Sequence, residues 1–589
     1  NKGIWQNNIT FVADDAVAGS NSTESEREHM QDAERFSAGI TASYPDFVVS
    51  KIYEDAYERV IESGGARYPD ANRALLDRIN KGTLMLNFIG HGSTTSWTHE
   101  YLLTMANIES LNNDKLPLWI TATCDFGRFD ANASSGGEAA LLKEEGGAIA
   151  MMTTVRAVYI RNNRTMNESL MKYLFKKKNG KNPRLGDILR EAKNDALLFE
   201  DSNKLRFVLL GDPALTLAYP EDTYKVRITE MNDRDADADD INIQALDNTV
   251  IKGIIENQNG EVAEDFNGTL ESLVFDAKQT LRTRGNTSSG TPNPDKIAID
   301  YTDYTNTLFA GKVDIVNGEF VVNFVAPKDI LYADDKGKMS FYAYDNSDSK
   351  KKAQGSFYNY TIGGTNTNMP EEENPPVISK MFLNNEQFKD GGYVNSTPLF
   401  YAEVSDDTGI NLSNAIGHNI SLVLDGITTY DLSSYFTNKG GSNKEGSISF
   451  QMPQMSEGEH KIEFRIWDVF NNSAAETLRF VVTDDYAPSI YSFEIWGNPA
   501  KDATRFVINT NTPQSNVDII LRVYSLTGAL VWMTQKNQAA DTLNRYIYEW
   551  DLNTNGGRLQ PGVYICSVQV NINGRLSSVK AEKLIVTAR

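Results

Sequence analysis

Cysteine is almost absent: the 589 residues contain two, Cys124 and Cys566. So few thiols exclude a disulfide framework and a cysteine-rich zinc site, and they suit a cytosolic chain and a bacterial exterior equally well. Long apolar runs are missing too. None approaches the roughly 20 residues that a membrane-spanning helix needs, so no transmembrane segment is expected. Neither a signal peptide nor an initiator methionine is present, and Asn1 lies close to the first predicted strand, so a preceding portion is expected upstream of it. Basic charge is in deficit. Lys and Arg number 57 against 79 Asp and Glu, a formal net charge of -22, and the excess is spread along the chain rather than held in one tail. Such a surface repels phosphate backbones and offers no polybasic membrane patch, which argues against nucleic acid as a partner.

The length exceeds what one core serves, and the patterning divides it into about four domains. To residue 220 or so, strands and helices alternate. Ile9 to Ala13 reads as a strand ending at Asp14-Asp15. Met30, Ala33, Ser37 and Ile40 fall at helical spacing, Phe47 to Tyr53 is a second strand, and Leu75, Leu76 and Ile79 mark a helix. Two apolar runs, one ending at Gly90-His91-Gly92 and one at Thr123-Cys124, are too short for ordinary helices and read as buried parallel strands. Glu138 to Glu145 predicts a helix stopped by Gly146-Gly147; the strand AIAMMTT and two further helices, around Leu170 and Ile188, follow. Residues 1–221 are therefore expected to form an α/β domain with a mainly parallel sheet covered on both faces.

Beyond Pro220 period-two strands dominate: Phe320 to Val325, Met339 to Tyr344, and Ile462, Phe464 and Ile466 alternating with Lys461, Glu463 and Arg465. They predict three all-β, immunoglobulin-like sandwiches: residues 222–366, residues 367–485 after the acidic, proline-containing linker Thr365 to Pro376, and residues 486–589 past a boundary at Asp484 to Pro488. The run Asp233 to Asp240 lacks the glycine and distal glutamate of an EF-hand loop. It reads as a solvated acidic loop with weak calcium potential.

His91 and Cys124 would end adjacent strands at the carboxyl edge of the sheet, where open α/β folds bind ligands. A free thiol is mostly protonated near neutral pH, and an adjacent imidazole that takes its proton yields a thiolate able to attack a carbonyl carbon. Gly92 and Cys124 would supply backbone N–H groups to the developing oxyanion. The competing reading is an inert core cysteine, the usual state of a thiol in apolar surroundings. His99 has no compact ligand cluster around it and reads as a loop residue, and no metal site is expected. Cys566 shares a strand face with Tyr564, Val568 and Val570, as a core residue would.

The residues GHGSTTSW (Gly90 to Trp97), ATCDFG with Gly127 three after Cys124, Glu138-Ala139, and FVLLGDPAL (Phe207 to Leu215) resemble the catalytic domain of gingipain-family cysteine peptidases, over roughly residues 5 to 220. The resemblance implies a caspase-like fold, Cys124 as nucleophile, His91 as general base and acid, and no required cofactor, a structural calcium ion being the one metal left open. It implies an acidic residue at the first strand end, Asp15 rather than Asp14, to orient the imidazole, and it offers Glu26 and Trp97 as substrate contacts. On its own residues Glu26 reads first as a surface helix carboxylate. The FVADD opening, the TCDFGRFD form of the cysteine motif and the long β tail look most like the family's sortase branch. These are cell-surface peptidases that remove C-terminal signals from type IX secretion cargo and transfer the product, through a thioester, to anionic lipopolysaccharide. The last segment, with LRVYSLTGALVWM and RLQPGVYICSVQVN, is similar to those signal domains. The expected partners are then secreted proteins carrying C-terminal signals, the lipopolysaccharide acceptor and outer-membrane attachment proteins, on the outer face of the outer membrane. The alternatives are a gingipain-like protease degrading other proteins and a non-catalytic surface scaffold or adhesin.

Overall fold

A computed structural model describes residues 2–17, 26–144, 146–198, 200–219, 223–288, 290–348, 350–413, 415, 417–483, 489–510, 517–540, 545–554, 556–572 and 575–588. The boundary expected at Asp484 to Pro488 lies outside them. The chain is strand-rich, with 45% strand and 15% helix. It forms two compact units, Asn1–Gln244 with Thr249–Asn323 and Ile330–Gly364, and Ala245–Asn248 with Phe324–Asp329 and Thr365–Arg589.

The first unit is built on a six-stranded sheet. Its strands are β1 (Asn8–Ala13), β2 (Val48–Tyr53), β3 (Met85–Ile89), β4 (Leu118–Ala122), β5 (Ala150–Thr154) and β6 (Phe207–Leu210). The spatial order is β6-β5-β4-β3-β1-β2, parallel throughout except for the antiparallel β6. Side chains alternate between two cores as strand geometry requires. Ile9, Phe11, Ala13, Met85, Ile89, Leu118, Ile120 and Met152 face one core, completed by helices α1 (Glu28–Ser43), α5 (Ile160–Leu174) and α6 (Leu185–Lys193). Val12, Leu86, Phe88, Trp119 and Met151 face the other, under α2 (Pro69–Lys81), α3 (Met105–Ser110) and α4 (Gly136–Leu142). Each fully buried large apolar side chain contributes about 1.5–3 kcal/mol, so this two-sided burial is what makes a parallel sheet stable here. Helix α4 starts earlier than the expected Glu138 because Ser135 and Glu138 form a capping box across its first turn.

The chain lays β1 and β2 side by side, then returns to place β3 on the other side of β1. Strand order therefore reverses between β1 and β3, and their carboxyl ends frame the crevice where such sheets take ligands.

The first β region packs onto this sheet as part of the same unit. Seven of its strands run in the order Thr307–Ile315, Gly268–Phe275, Lys338–Asp345, Lys352–Phe357, Tyr224–Met231, Asn248–Asn257 and Glu319–Val325. Asp55, just past β2, accepts hydrogen bonds from the N–H groups of Gly285 (2.8 Å) and Asn286 (2.7 Å). Lys338 is 1% exposed and donates to the carbonyls of Pro45 (2.9 Å) and Phe47. Ile297 and Ile299 enter the core beneath α1 and α5.

In the second unit the strand Gly458–Trp467 buries Ile462, Phe464 and Ile466 while their neighbours stay partly exposed. Near the C-terminus, Val517–Ser525 and Leu530–Gln538 pair around Gly528, whose φ of 84° makes the tight turn. Cys566 lies fully buried with Val568 and Val570, and burial pushes its thiol up to about 12. Among the described residues no helix is long and apolar enough to cross a membrane.

Candidate active site

β3 and β4 pair in parallel with Ile89 opposite Ala122. His91 and Cys124, each two residues past that last pair, follow the carboxyl ends of neighbouring strands and lie at the same edge of the sheet. Both strands turn away directly afterwards. Asp125 adopts φ 57°, a left-handed conformation that ends β4 abruptly behind the thiol. After His91 the chain folds into a short hairpin in which Thr98 N–H donates to His91 O and Ser93 N–H to Ser96 O, each at 2.9 Å. Gly92 and Trp97 are bridged between these bonds as the non-hydrogen-bonded pair, so the Gly92 N–H points away from the hairpin partner. A Cβ on Gly92 would lie 2.4 Å from Thr123 Oγ1. Glycine is thus what lets this amide sit against the Cys124 strand.

Cys124 is half-buried, and its Sγ lies 3.4 Å from the N–H and 3.6 Å from the carbonyl of Val158. His91 is held by its backbone: its N–H donates to Asp14 Oδ2 at 2.6 Å. Gly90 makes that possible, because a Cβ there would stand 2.4 Å from the Asp14 Cβ. The His91 ring packs edge-on against His29 of α1, with centroids 5.3 Å apart, and against His99 at 4.9 Å. Its Nε2 lies 4.0 Å from Glu26 Oε2. Burial, and after it the His99 ring, hold the His91 imidazole below its ordinary value. Glu26 is raised by burial, and burial brings His29 down to about 3.

The acid expected at Asp15 sits elsewhere. The Asp15 carboxylate accepts from Tyr68 Oη (2.6 Å) and from the Val17 N–H (2.7 Å), so it faces the α2 side, and it is Asp14 and Glu26 that flank His91. Glu26, expected as a surface helix carboxylate or a substrate contact, has a buried Oε2 beside the His91 ring. Trp97 is corrected outright: it is 0% exposed and stacks on Phe88 at 4.3 Å, leaving no surface for substrate. His99, read as a loop residue, packs on the His91 imidazole. His29 was missed altogether; its position at i−1 to the apolar Met30 gives no sign that α1 carries it onto the sheet edge.

Behind Asp14 lies a group of buried carboxylates. Burial and then the Glu100 charge raise Asp15 to about 8; burial and then Asp14 raise Glu100 to about 7. Glu54 is 0% exposed and is pushed well up by burial and by Asp14. Thr98 Oγ1 donates to Glu54 at 3.0 Å, and Arg59 lies 3.6 Å from Glu100.

A doubly covered sheet with a thiol and an imidazole at the ends of neighbouring strands is the arrangement a cysteine peptidase uses, and residues 1–218 match the family model of peptidase family C25, the gingipain family. Among solved structures the chain is similar to dimeric latent PorU from Porphyromonas gingivalis, at 23% identity over 99% of this chain and 64% of that one, with a TM-score of 0.30. The chain thus spans just under two thirds of that structure. It is also similar to the Arg-specific cysteine proteinase gingipain R, at 15% identity over 61% of this chain and 67% of that chain, TM-score 0.31. The complex of Porphyromonas gingivalis RgpB pro- and mature domains is a third, at 16% identity over 61% and 69%, TM-score 0.31. No curated protein sequence matches the chain. Likeness at this level leaves activity and substrate to be argued from the residues themselves.

Proposed function

We propose that the chain is a cell-surface cysteine endopeptidase with a caspase-like catalytic domain that trims C-terminal secretion signals from other proteins and passes the product to an amine acceptor. The observation that supports the peptidase reading is that β3 and β4, paired in parallel to Ile89 and Ala122, end at one sheet edge where His91 and Cys124 follow, with the Gly92 amide turned out of its hairpin there. In the reaction Cys124 Sγ attacks the scissile carbonyl carbon while His91 takes the thiol proton. The Glu26 and Asp14 carboxylates flank the imidazolium that forms and favour it. The oxyanion is met by the N–H groups of Gly92 and Cys124. On collapse the C–N bond breaks, His91 returns the proton to the leaving amine, and a thioester remains on Cys124. Attack by an amine, with its proton going to His91, gives transfer; attack by water gives hydrolysis.

The sortase assignment draws on the sequence resemblance and on the cargo-like segment 486–589. It places the protein on the outer face of the outer membrane, with type IX cargo as substrate, anionic lipopolysaccharide as acceptor and attachment-complex proteins as partners. The test compares surface proteins from cells carrying Cys124→Ala with those from wild type. Retained C-terminal signals in the variant are expected. Normal trimming would eliminate the sortase reading, while leaving a protease of other proteins to be detected by cleavage of general peptide substrates that requires Cys124.

A further inference from the structure

Behind His91, on the side away from the thiol strand, buried donors converge. One ring nitrogen each of His29 and His91 and one carboxylate oxygen of Asp14 lie within 4.8 Å of one another. His29 is 1% exposed, yet neither Nδ1 nor Nε2 has a hydrogen-bond partner among the described residues. The buried Nε2 of His91 and Oε2 of Glu26, 4.0 Å apart, are likewise unpartnered. Each buried polar atom left unsatisfied costs about 1–3 kcal/mol; here Asp14, His29 and His91 converge, and Glu26 Oε2 adjoins the His91 ring. Two imidazoles with one or two carboxylates suit zinc or a similar borderline metal, whereas calcium takes about 6–8 oxygens. Tetrahedral ligation at metal–nitrogen distances of about 2.0–2.1 Å spaces ligand atoms about 3.4 Å apart, so the present separations close with small side-chain movements. Asp15, Glu54 and Glu100 are buried beside Asp14, with Arg59 as the guanidinium next to Glu100.

We propose that Asp14, His29 and His91, with Glu26 at the fourth position, bind a divalent transition-metal ion of the zinc type, and that the bound ion withdraws His91 from the thiol. An imidazole that gives one lone pair to a metal keeps its single proton on the other nitrogen and has no site left to accept a second. The metal therefore acts as a reversible off-switch for the general base. Binding stands apart from the peptidase reading, and the switching consequence rests on it.

The test uses the chain carrying Cys124→Ala, which removes the thiol as a rival ligand and makes the result independent of activity. After chelator stripping it is dialysed against Zn2+ near neutral pH and the bound metal is counted. One tightly held ion is expected, with X-ray absorption showing two imidazoles, oxygen ligands and no sulfur. His29→Asn in the same background is expected to weaken binding by roughly a hundredfold or more, beyond the 10–100-fold that a hydrogen-bond partner of a ligand is worth. Failure to retain zinc, fewer than two imidazoles around it, or undiminished binding by a folded His29→Asn chain overturns the site. Should His29→Asn not fold, the absorption spectrum of the parent decides. Loss of the peptidase reading would show separately, as absence of Cys124-dependent cleavage by the chelator-stripped chain even though the Cys124→Ala chain binds zinc.

Discussion

At the residue scale, the protonation of His91 is the variable the site controls. Burial first, and the His99 ring second, lower its pKa, so the neutral base persists into mildly acidic solution and the acidic limb of kcat/KM falls below the ordinary imidazole value of about 6.5. Removing the neighbouring ring relieves the smaller cause. A His99→Gln chain, assayed with chelator present, is therefore expected to show its acidic limb moved to higher pH, and an unmoved limb would deny the coupling. Gly92 permits a second test. An added Cβ meets Thr123 Oγ1 and displaces the amide offered to the oxyanion, so Gly92→Ala is expected to lower kcat by about 10²–10³-fold with KM little changed. Gly92→Ala combined with Thr123→Ala, which clears the space, should recover part of the loss in steady-state kinetics. His91 and Cys124 were legible in the sequence because an apolar run that stops at glycine or threonine marks a strand end. Glu26 and His29 were not, since only the lie of α1 over the edge brings them in. Trp97 was misread because a large aromatic beside a motif looks available for binding, and its stacking on Phe88 is a tertiary fact.

At the scale of elements, the alternation of strand and helix foretold a sheet covered on both faces, and the period-two pattern found the later strands. How the first β region would engage the sheet was not legible, because nothing in the sequence marks Asp55 or Lys338 as charges that the folded chain buries. Lys338 gives that engagement a pH signature. Desolvation lowers its folded pKa from 10.5 to about 7. Between those values the unfolded chain binds more protons than the folded one, so stability rises with pH across the window, by up to about 1.4 kcal/mol per unit, and the penalty is full below it. Replacing Lys338 by Met should flatten this dependence, read as the denaturant midpoint of the first unit between neutral and mildly alkaline pH.

For the whole molecule, the division into compact units differs from the end of the family match. The match stops at residue 218, whereas the first unit continues to Gly364. A chain cut after Ala218 would lose the core contribution of Ile297 and Ile299, each worth about 1.5–3 kcal/mol, and would leave the Asp55 carboxylate without its two amide donors. Such a fragment is expected to aggregate, where one ending at Gly364 remains soluble and monodisperse on sedimentation.

The burial of Cys566 has a practical corollary. In its native state this chain presents one accessible thiol, Cys124, to an alkylating reagent, so a label or crosslinker reports from the edge of the first sheet without any prior engineering. The appearance of a second reacting equivalent would then time the opening of the C-terminal core, turning a simple count of modified sulfurs into a clock for local unfolding.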